Sequence, residues 1–281
     1  PVCSELHIAP STYYHCQQQR HHPDKRSARA QRDDWLKKEI QRVYDENHKV
    51  YGVRKVWRQL LREGIRVARC TVARLMAVMG LAGVLRGKKV RTTISRKAVV
   101  AGDRVNRQFV AERPDQLWVA DSTYVSTWQG VVYVAFIIDV FAGYIVGWRV
   151  SSSMETTFVL DALEQALWAR RPSGTVHHSD KGSQYVSLAY TQRLKEAGLL
   201  ASTGSTGDSY DNAMAESING LYKAEVIHRK SWKNRAEVEL ATLTWVDWYN
   251  NRRLLGRLGH TPPAEAEKAY YASIGNDDLA A

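Results

Sequence analysis

Three acids, Asp121, Asp180 and Glu216, have the side chains and the sequence surroundings to hold a divalent cation. Asp121 stands in LWVADSTYV, whose alternation predicts a strand with Leu117, Val119, Asp121, Thr123 and Val125 on one face. An unpaired carboxylate on such a face costs several kcal/mol, so it requires a cation, hydrogen-bond donors or an opening to solvent. Asp180, in HHSDKGSQY, follows the short apolar run GTV and precedes a glycine turn. That is a strand exit, where α/β folds keep their chemistry. Glu216 lies in DSYDNAMAESINGLYKAE, a predicted helix capped near Ser209 or Asp211. Asn212, Glu216 and Lys223 share one of its faces, and Ala213, Leu221 and Ala224 are expected to pack elsewhere. Oxygen-only ligands select Mg²⁺ or Mn²⁺ over zinc or copper. Singly, each acid has an ordinary place: a hydrogen-bonded strand residue, a turn residue, a solvated helix residue. Their combination points to metal chemistry.

The elements that must position these acids begin near Leu117. VVYVAFIID reads as a buried strand and YIVGWRV as a third after the turn at Gly143, so three neighbouring strands form an antiparallel meander. A helix from about Met154 to Ala169, the strand TVHHS, a helix from about Ser187 to Ala197 and the short strand LLAST follow. This order predicts an α/β fold with a mixed sheet flanked by helices. In TWVDWYNNRRLLGR, Trp245, Trp248 and Tyr249 are expected to pack a terminal helix on the core, leaving Arg252, Arg253 and Arg257 to face a polyanion.

Upstream the pattern is helical. Residues from Asp33 to about Tyr44 have helical composition. In YGVRKVWRQLLREG, Val53, Val56, Trp57, Leu60 and Leu61 form an apolar stripe, while Arg54, Arg58 and Arg62 line another face. After Gly64, Thr71 is the expected cap of a helix burying Val72, Leu75, Met76 and Met79. Two short helices around a glycine turn, rich in arginine, match a helix-turn-helix as well as a plain helical hairpin. Charge favours the former. Residues 1–113 hold 25 Lys and Arg against 10 Asp and Glu, whereas the rest of the chain holds 15 against 19. The first part is an electrostatic footprint for nucleic acid, with Arg54, Lys55, Arg58, Arg62, Arg74, Lys88 and Lys89 as candidate contacts. The expected organisation is a helical region over 1–85, a basic linker over 86–113, a catalytic core over 114–270 and a tail over 271–281.

The 281 residues contain no apolar run near the roughly 20 that a membrane span needs; VVYVAFII is the longest. Cys3, Cys16 and Cys70 form no C-x-x-C pair, which fits a reducing cytoplasm, and Cys16 with His21 and His22 falls short of a zinc site. The chain opens on Pro1, so its start is expected to be missing, processed or supplied by another reading frame.

Several distinctive stretches occur in order: IAPSTYY, LWVADSTYV, YVAFIIDVFAGYIVGW, HSDKGSQY, STGSTGDSYDNAMAES, LYKAE and WYNNRRLLGRLGHTPPAEA, with 35 residues between Asp180 and Glu216. From about Ser11 to about Ala266 the chain resembles the second-frame product of insertion-sequence transposases made from two overlapping reading frames, in the superfamily of DDE transposases and retroviral integrases. The resemblance implies a ribonuclease H-like core preceded by a helix-turn-helix region. It also implies DNA cleavage and strand transfer by two Mg²⁺ or Mn²⁺ ions on Asp121, Asp180 and Glu216, clamping the attacking and leaving oxygens. Lys223 is then the candidate phosphate contact, Arg252 and Arg253 further DNA contacts, and His178 and Asn212 polar groups behind the acids. The implied partners are the element's terminal repeats, target DNA, further copies of the chain on paired ends, and an upstream-frame product. Gly143 stands where family members commonly carry arginine. A DNA-binding regulator that keeps the core as scaffold, and a metal-dependent nuclease of the same fold, are the competing functions.

Overall fold

The computed structural model describes residues 5, 7–87, 105, 109–180, 182–203 and 213–280. Most of the expected linker, with Lys88 and Lys89, lies outside them, as does Asn212. The chain divides into two compact units, Pro1–Val84 and Leu85–Ala281.

The first unit is helical: α1 (Pro10–His21), α2 (Ala28–Glu46), α3 (Val53–Arg62) and α4 (Arg69–Val78). Helix α2 starts five residues earlier than composition alone suggests, because the Ser27 hydroxyl accepts from the Ala30 N–H and caps it. It buries Leu36, Ile40 and Val43 against Val56 and Leu60 of α3 and Val72, Leu75 and Met76 of α4. Thr71 is not the cap of α4. The Ala68 carbonyl already accepts the Thr71 and Val72 N–H groups, so Thr71 sits inside the first turn. Met79 follows the helix and is only half-buried. The turn between α3 and α4 is closed by Trp57, whose indole donates to the Val67 carbonyl at 2.8 Å.

The second unit is built on a five-stranded sheet: β1 (Leu117–Thr127), β2 (Gly130–Asp139), β3 (Tyr144–Ser151), β4 (Val176–Ser179) and β5 (Leu200–Thr203), in the order β3-β2-β1-β4-β5. The first three strands form the antiparallel meander; β4 and β5 add in parallel beside β1. Helices α5 (Thr156–Arg170) and α6 (Leu188–Glu196) cover one face, where Trp118, Ala120, Ala135, Ile137 and Val146 pack on Phe158, Ala162 and Tyr190. The approach is close: a Cβ on Gly147 would stand 2.2 Å from the Ala162 carbonyl oxygen, so β3 accepts only glycine there. Helices α7 (Ala213–Glu225) and α8 (Arg235–Asn251) pack on β1, β2 and β3, with Phe136 edge-to-face on Tyr222 at 5.2 Å and beside Trp245 at 6.0 Å. Gly143 has φ +70° and donates to the Asp139 carbonyl at 2.8 Å, closing the β2–β3 turn in a conformation that suits glycine. The final helix, α9 (Pro263–Ala280), runs on through most of the stretch expected to be a tail.

Two expectations about packing are corrected. Helix α7 buries Ala215, Ile218, Asn219, Tyr222 and Glu225, not Ala213, Leu221 and Ala224, which stay half-buried. Arg253 does not face outward. It is 4% exposed and pairs with Glu225, its Nε donating to Glu225 Oε2 at 3.0 Å while the Trp245 indole donates to the same oxygen. A buried carboxylate demands such a partner, and the turn ending α8 points Arg253 inward and leaves Arg252 exposed.

Candidate active site

Asp121 lies in the central strand, on the face under α7, because β1 alternates. Its Oδ1 accepts the Ser122 N–H at 2.8 Å and its Oδ2 accepts the Asn219 Nδ2 at 2.9 Å. The parallel pairing of β1 with β4 aligns Ala120 with Ser179, so the next residues, Asp121 and Asp180, emerge side by side. Asp180 is exposed, and its Oδ1 accepts the Gly182 N–H at 3.0 Å, which folds the chain sharply away from the strand end. Glu216 occupies the first turn of α7, three residues before Asn219 and on the same face.

Two of the acids bear on the third. Burial first, then the negative charges of Asp180 and Glu216, push the Asp121 carboxyl up from 3.8 to about 7, against the two hydrogen bonds that favour its ionised form. A site arranged this way stores like-charge repulsion that a bound cation relieves. The donor set is oxygen only, and the buried Asn219 Oδ1 beside it has no hydrogen-bond partner among the described residues. These features fit a hard divalent ion. Among the described residues, no three such side chains close to the spacing of a single bound ion, so the arrangement is convergent but open.

Of the other predicted residues, Lys223 holds its ammonium 4.8 Å from the Tyr124 ring centre, beyond Asp121 along β1. His178 is buried, its Nδ1 2.9 Å from the Ser202 hydroxyl and its ring against Phe109. In the helical unit Arg54, Arg58 and Arg62 are exposed on α3, with Arg58 stacked on Trp57 at 4.7 Å and Lys55 over Tyr51 at 5.2 Å. Arg74 is exposed too, but its guanidinium binds both oxygens of Asp33 at 2.9 Å. Asn219 was missed from the sequence, although its spacing of three from Glu216 places it on the same helix face.

The fold and the site define a mixed-sheet protein with its acids gathered where antiparallel and parallel strands meet. Family comparison gives this class a name: the model of the integrase core domain matches residues 111–209, a second integrase core model matches 197–263, and a model of the HTH-like domain matches 31–89. A transposase for insertion sequence element IS629 of Shigella sonnei is 98% identical over 281 residues, covering 100% of this chain and 95% of that protein. A putative transposase for IS986/IS6110 of Mycobacterium tuberculosis is 54% identical over 273 residues, covering 94% and 96%. The solved HTLV-2 integrase catalytic core domain, in complex with magnesium, aligns at 13% identity and a TM-score of 0.46 over 56% of this chain and 99% of that one. The chain belongs to the insertion-sequence transposases of the integrase superfamily.

Proposed function

We propose that the chain is a DDE transposase that cuts DNA at the ends of an insertion sequence and joins the freed ends to a target, with Asp121, Asp180 and Glu216 as the metal ligands. The observation that carries this reading is the convergence of the acids: the pairing of β1 with β4 sets Asp121 beside Asp180, and α7 brings Glu216 near enough that, after burial, both charges help to raise the Asp121 carboxyl. When bound, two Mg²⁺ or Mn²⁺ ions would neutralise the acids and the phosphate and lower the barrier to attack by an oxygen nucleophile. The chain's own residues do the positioning. Asn219 and the Ser122 N–H fix the orientation of Asp121. The Gly182 N–H fixes Asp180, and the first turn of α7 presents Glu216. In the first reaction water attacks phosphorus, the bond to the 3′-oxygen breaks, and that oxygen takes up a proton. In the second the 3′-hydroxyl attacks a target phosphate in the same way. No covalent bond to the protein is needed. Lys223 supplies a cation for a phosphate near the cut.

Arg54, Arg58 and Arg62 of α3, and Arg252, carry the proposed further contacts to DNA. Copies of the chain act together on paired ends in the cytoplasm, with end recognition shared by an upstream-frame product.

Labelled element-end DNA tests the reading, with Mg²⁺ or Mn²⁺ and the full-length fused protein. The expected outcome is cleaved and joined product from the wild type and a loss in Glu216→Gln larger than the roughly 10–100-fold that changes to groups behind metal ligands produce. Equal activity in the two proteins removes Glu216 from the site. Cut but unjoined DNA indicates a nuclease, and DNA binding without either product indicates a regulator.

A further inference from the structure

Beyond the acids, β1 carries aromatic rings into solvent. Tyr124 is 62% exposed and Trp128, at the β1–β2 turn, 73%. Water is a poor environment for rings of this size, and exposed aromatic groups beside cations mark binding surfaces. Trp128 is held in place: its backbone N–H donates to the Trp232 carbonyl at 3.0 Å, tying the hairpin tip to the segment after α7. Trp232 is itself buried and anchored by its indole N–H on the Ile227 carbonyl. Between these elements lies an open cleft of about 490 Å³ whose lining includes Tyr124, Trp128, Lys223, His228 and Lys230. No carboxylate lines it among the described residues. Lys230 stands 4.3 Å from the Trp232 ring centre and also pairs with Glu237 at 2.6 Å, so Lys223 and His228 are the cleft's other basic groups.

The cleft is placed by two elements that also carry the acids. Tyr124 lies three residues beyond Asp121 along β1, about 10 Å at the rise of a strand, with its ring turned from the face that carries Asp121 and met there by Lys223. Lys223 lies seven residues beyond Glu216 along α7, again about 10 Å at the rise of a helix.

We propose that this cleft holds an unpaired nucleotide of the DNA strand on which the carboxylates act, with its base stacked on Trp128 and Tyr124 and its phosphate beside Lys223. The proposal rests on the DNA-processing function above. A duplex offers the protein base edges and phosphates; only an unpaired base offers its flat face to an aromatic ring. Flat rings interleaved with lysines, without an acid in the lining, are the complement of a single strand. Transposition frees such strands at each cut.

The test uses the full chain without divalent metal, so that binding is measured apart from cleavage. A fluorescein-labelled 12-nucleotide single strand and an abasic strand of the same length are titrated by fluorescence anisotropy against wild type, Trp128→Ala and Trp128→Phe. Trp128→Ala is expected to bind the base-bearing strand about 5- to 100-fold more weakly, the range of one lost stacking contact, and the abasic strand as the wild type does. Trp128→Phe is expected to recover most of the loss, which an unfolded protein would not. Equal affinity of wild type and Trp128→Ala for the base-bearing strand overturns the proposal, and so does an equal loss on both strands, which leaves phosphate contacts alone. A shift from dimer to monomer in sedimentation, without a base-dependent loss, assigns Trp128 to contact with a second copy and also overturns it. Failure of the wild type to bind either strand overturns the cleft proposal, while the DNA-processing function stands or falls by the cleavage and joining assay on element-end DNA. Base-dependent binding combined with absent cleavage counts against the metal ligands only and leaves the cleft standing.

Discussion

The orientation of Asp121 depends on Asn219. The amide donates to one carboxylate oxygen while the Ser122 N–H donates to the other, so the acid has a fixed plane before any ion arrives. Asn219 is buried by α7, and removing its side chain leaves Asp121 with one donor and freedom to rotate. Asn219→Ala is expected to lower cleavage and metal affinity by about 10–100-fold, as for other groups behind a metal ligand. Excess Mn²⁺ should restore part of the rate, since the ligands themselves remain. Titration of activity against Mn²⁺ concentration checks this, and an unchanged metal dependence would assign Asn219 to packing.

Helices α7 and α8 are locked by the buried Glu225–Arg253 pair, with the Trp245 indole on the same carboxylate. Two further contacts hold α8 and the core: the Asn250 side chain bonds both backbone groups of Ile145 in β3, at 2.9 and 3.0 Å, and Tyr222 in α7 meets Thr242 in α8. Because α7 also carries Glu216, its lock fixes the third acid. Truncating one partner of a buried pair strands the other charge, so Arg253→Ala is expected to destabilise the unit by about 3–5 kcal/mol, read by urea unfolding. Replacing Glu225 and Arg253 together by apolar residues of similar volume should cost much less. A surface role for Arg253 would instead give a stability change within about 0.5 kcal/mol.

At the scale of the molecule, two buried acids shape the response to pH. Asp121 and Asp139 are both pushed from 3.8 to about 7, Asp139 by burial despite accepting the Asp115 and Phe141 N–H groups. A carboxyl with a raised folded pKa binds its proton more tightly in the native state than in the unfolded one. As far as these groups are concerned, stability is therefore greatest below about pH 4, falls as pH rises between the unfolded and the folded pKa, and is fully reduced above about 7. Without divalent metal, the melting temperature is expected to drop on the order of 10–20 °C between pH 5 and pH 8. Mg²⁺ at pH 8 should recover the Asp121 share of that drop. In Asp121→Asn the slope should be shallower and the Mg²⁺ effect smaller, the remaining slope belonging to Asp139. A flat melting temperature across this range in the wild type would refute the linkage.

The sequence by itself determined the strands and the acids. Alternation in LWVADSTYV and the buried run after it depend on local periodicity, which a linear chain displays, and the ordered motifs carried the family. Helix faces were less legible: the stripe of α7 was misassigned because small residues occur all around it, and only contact with β1 and β2 selects Ala215, Ile218 and Tyr222. Arg252 and Arg253 are indistinguishable as neighbours in a basic stretch. Tertiary structure decided that one is exposed and the other buried, because the carboxylate that needs a partner, Glu225, arrives from another helix. The same holds for Asn219, whose spacing from Glu216 was visible but whose partner Asp121 lies in a distant strand. Periodicity is a local property of the chain. The pairing of charges, donors and rings is set by distance in space, and for these residues that distance exists only in the fold.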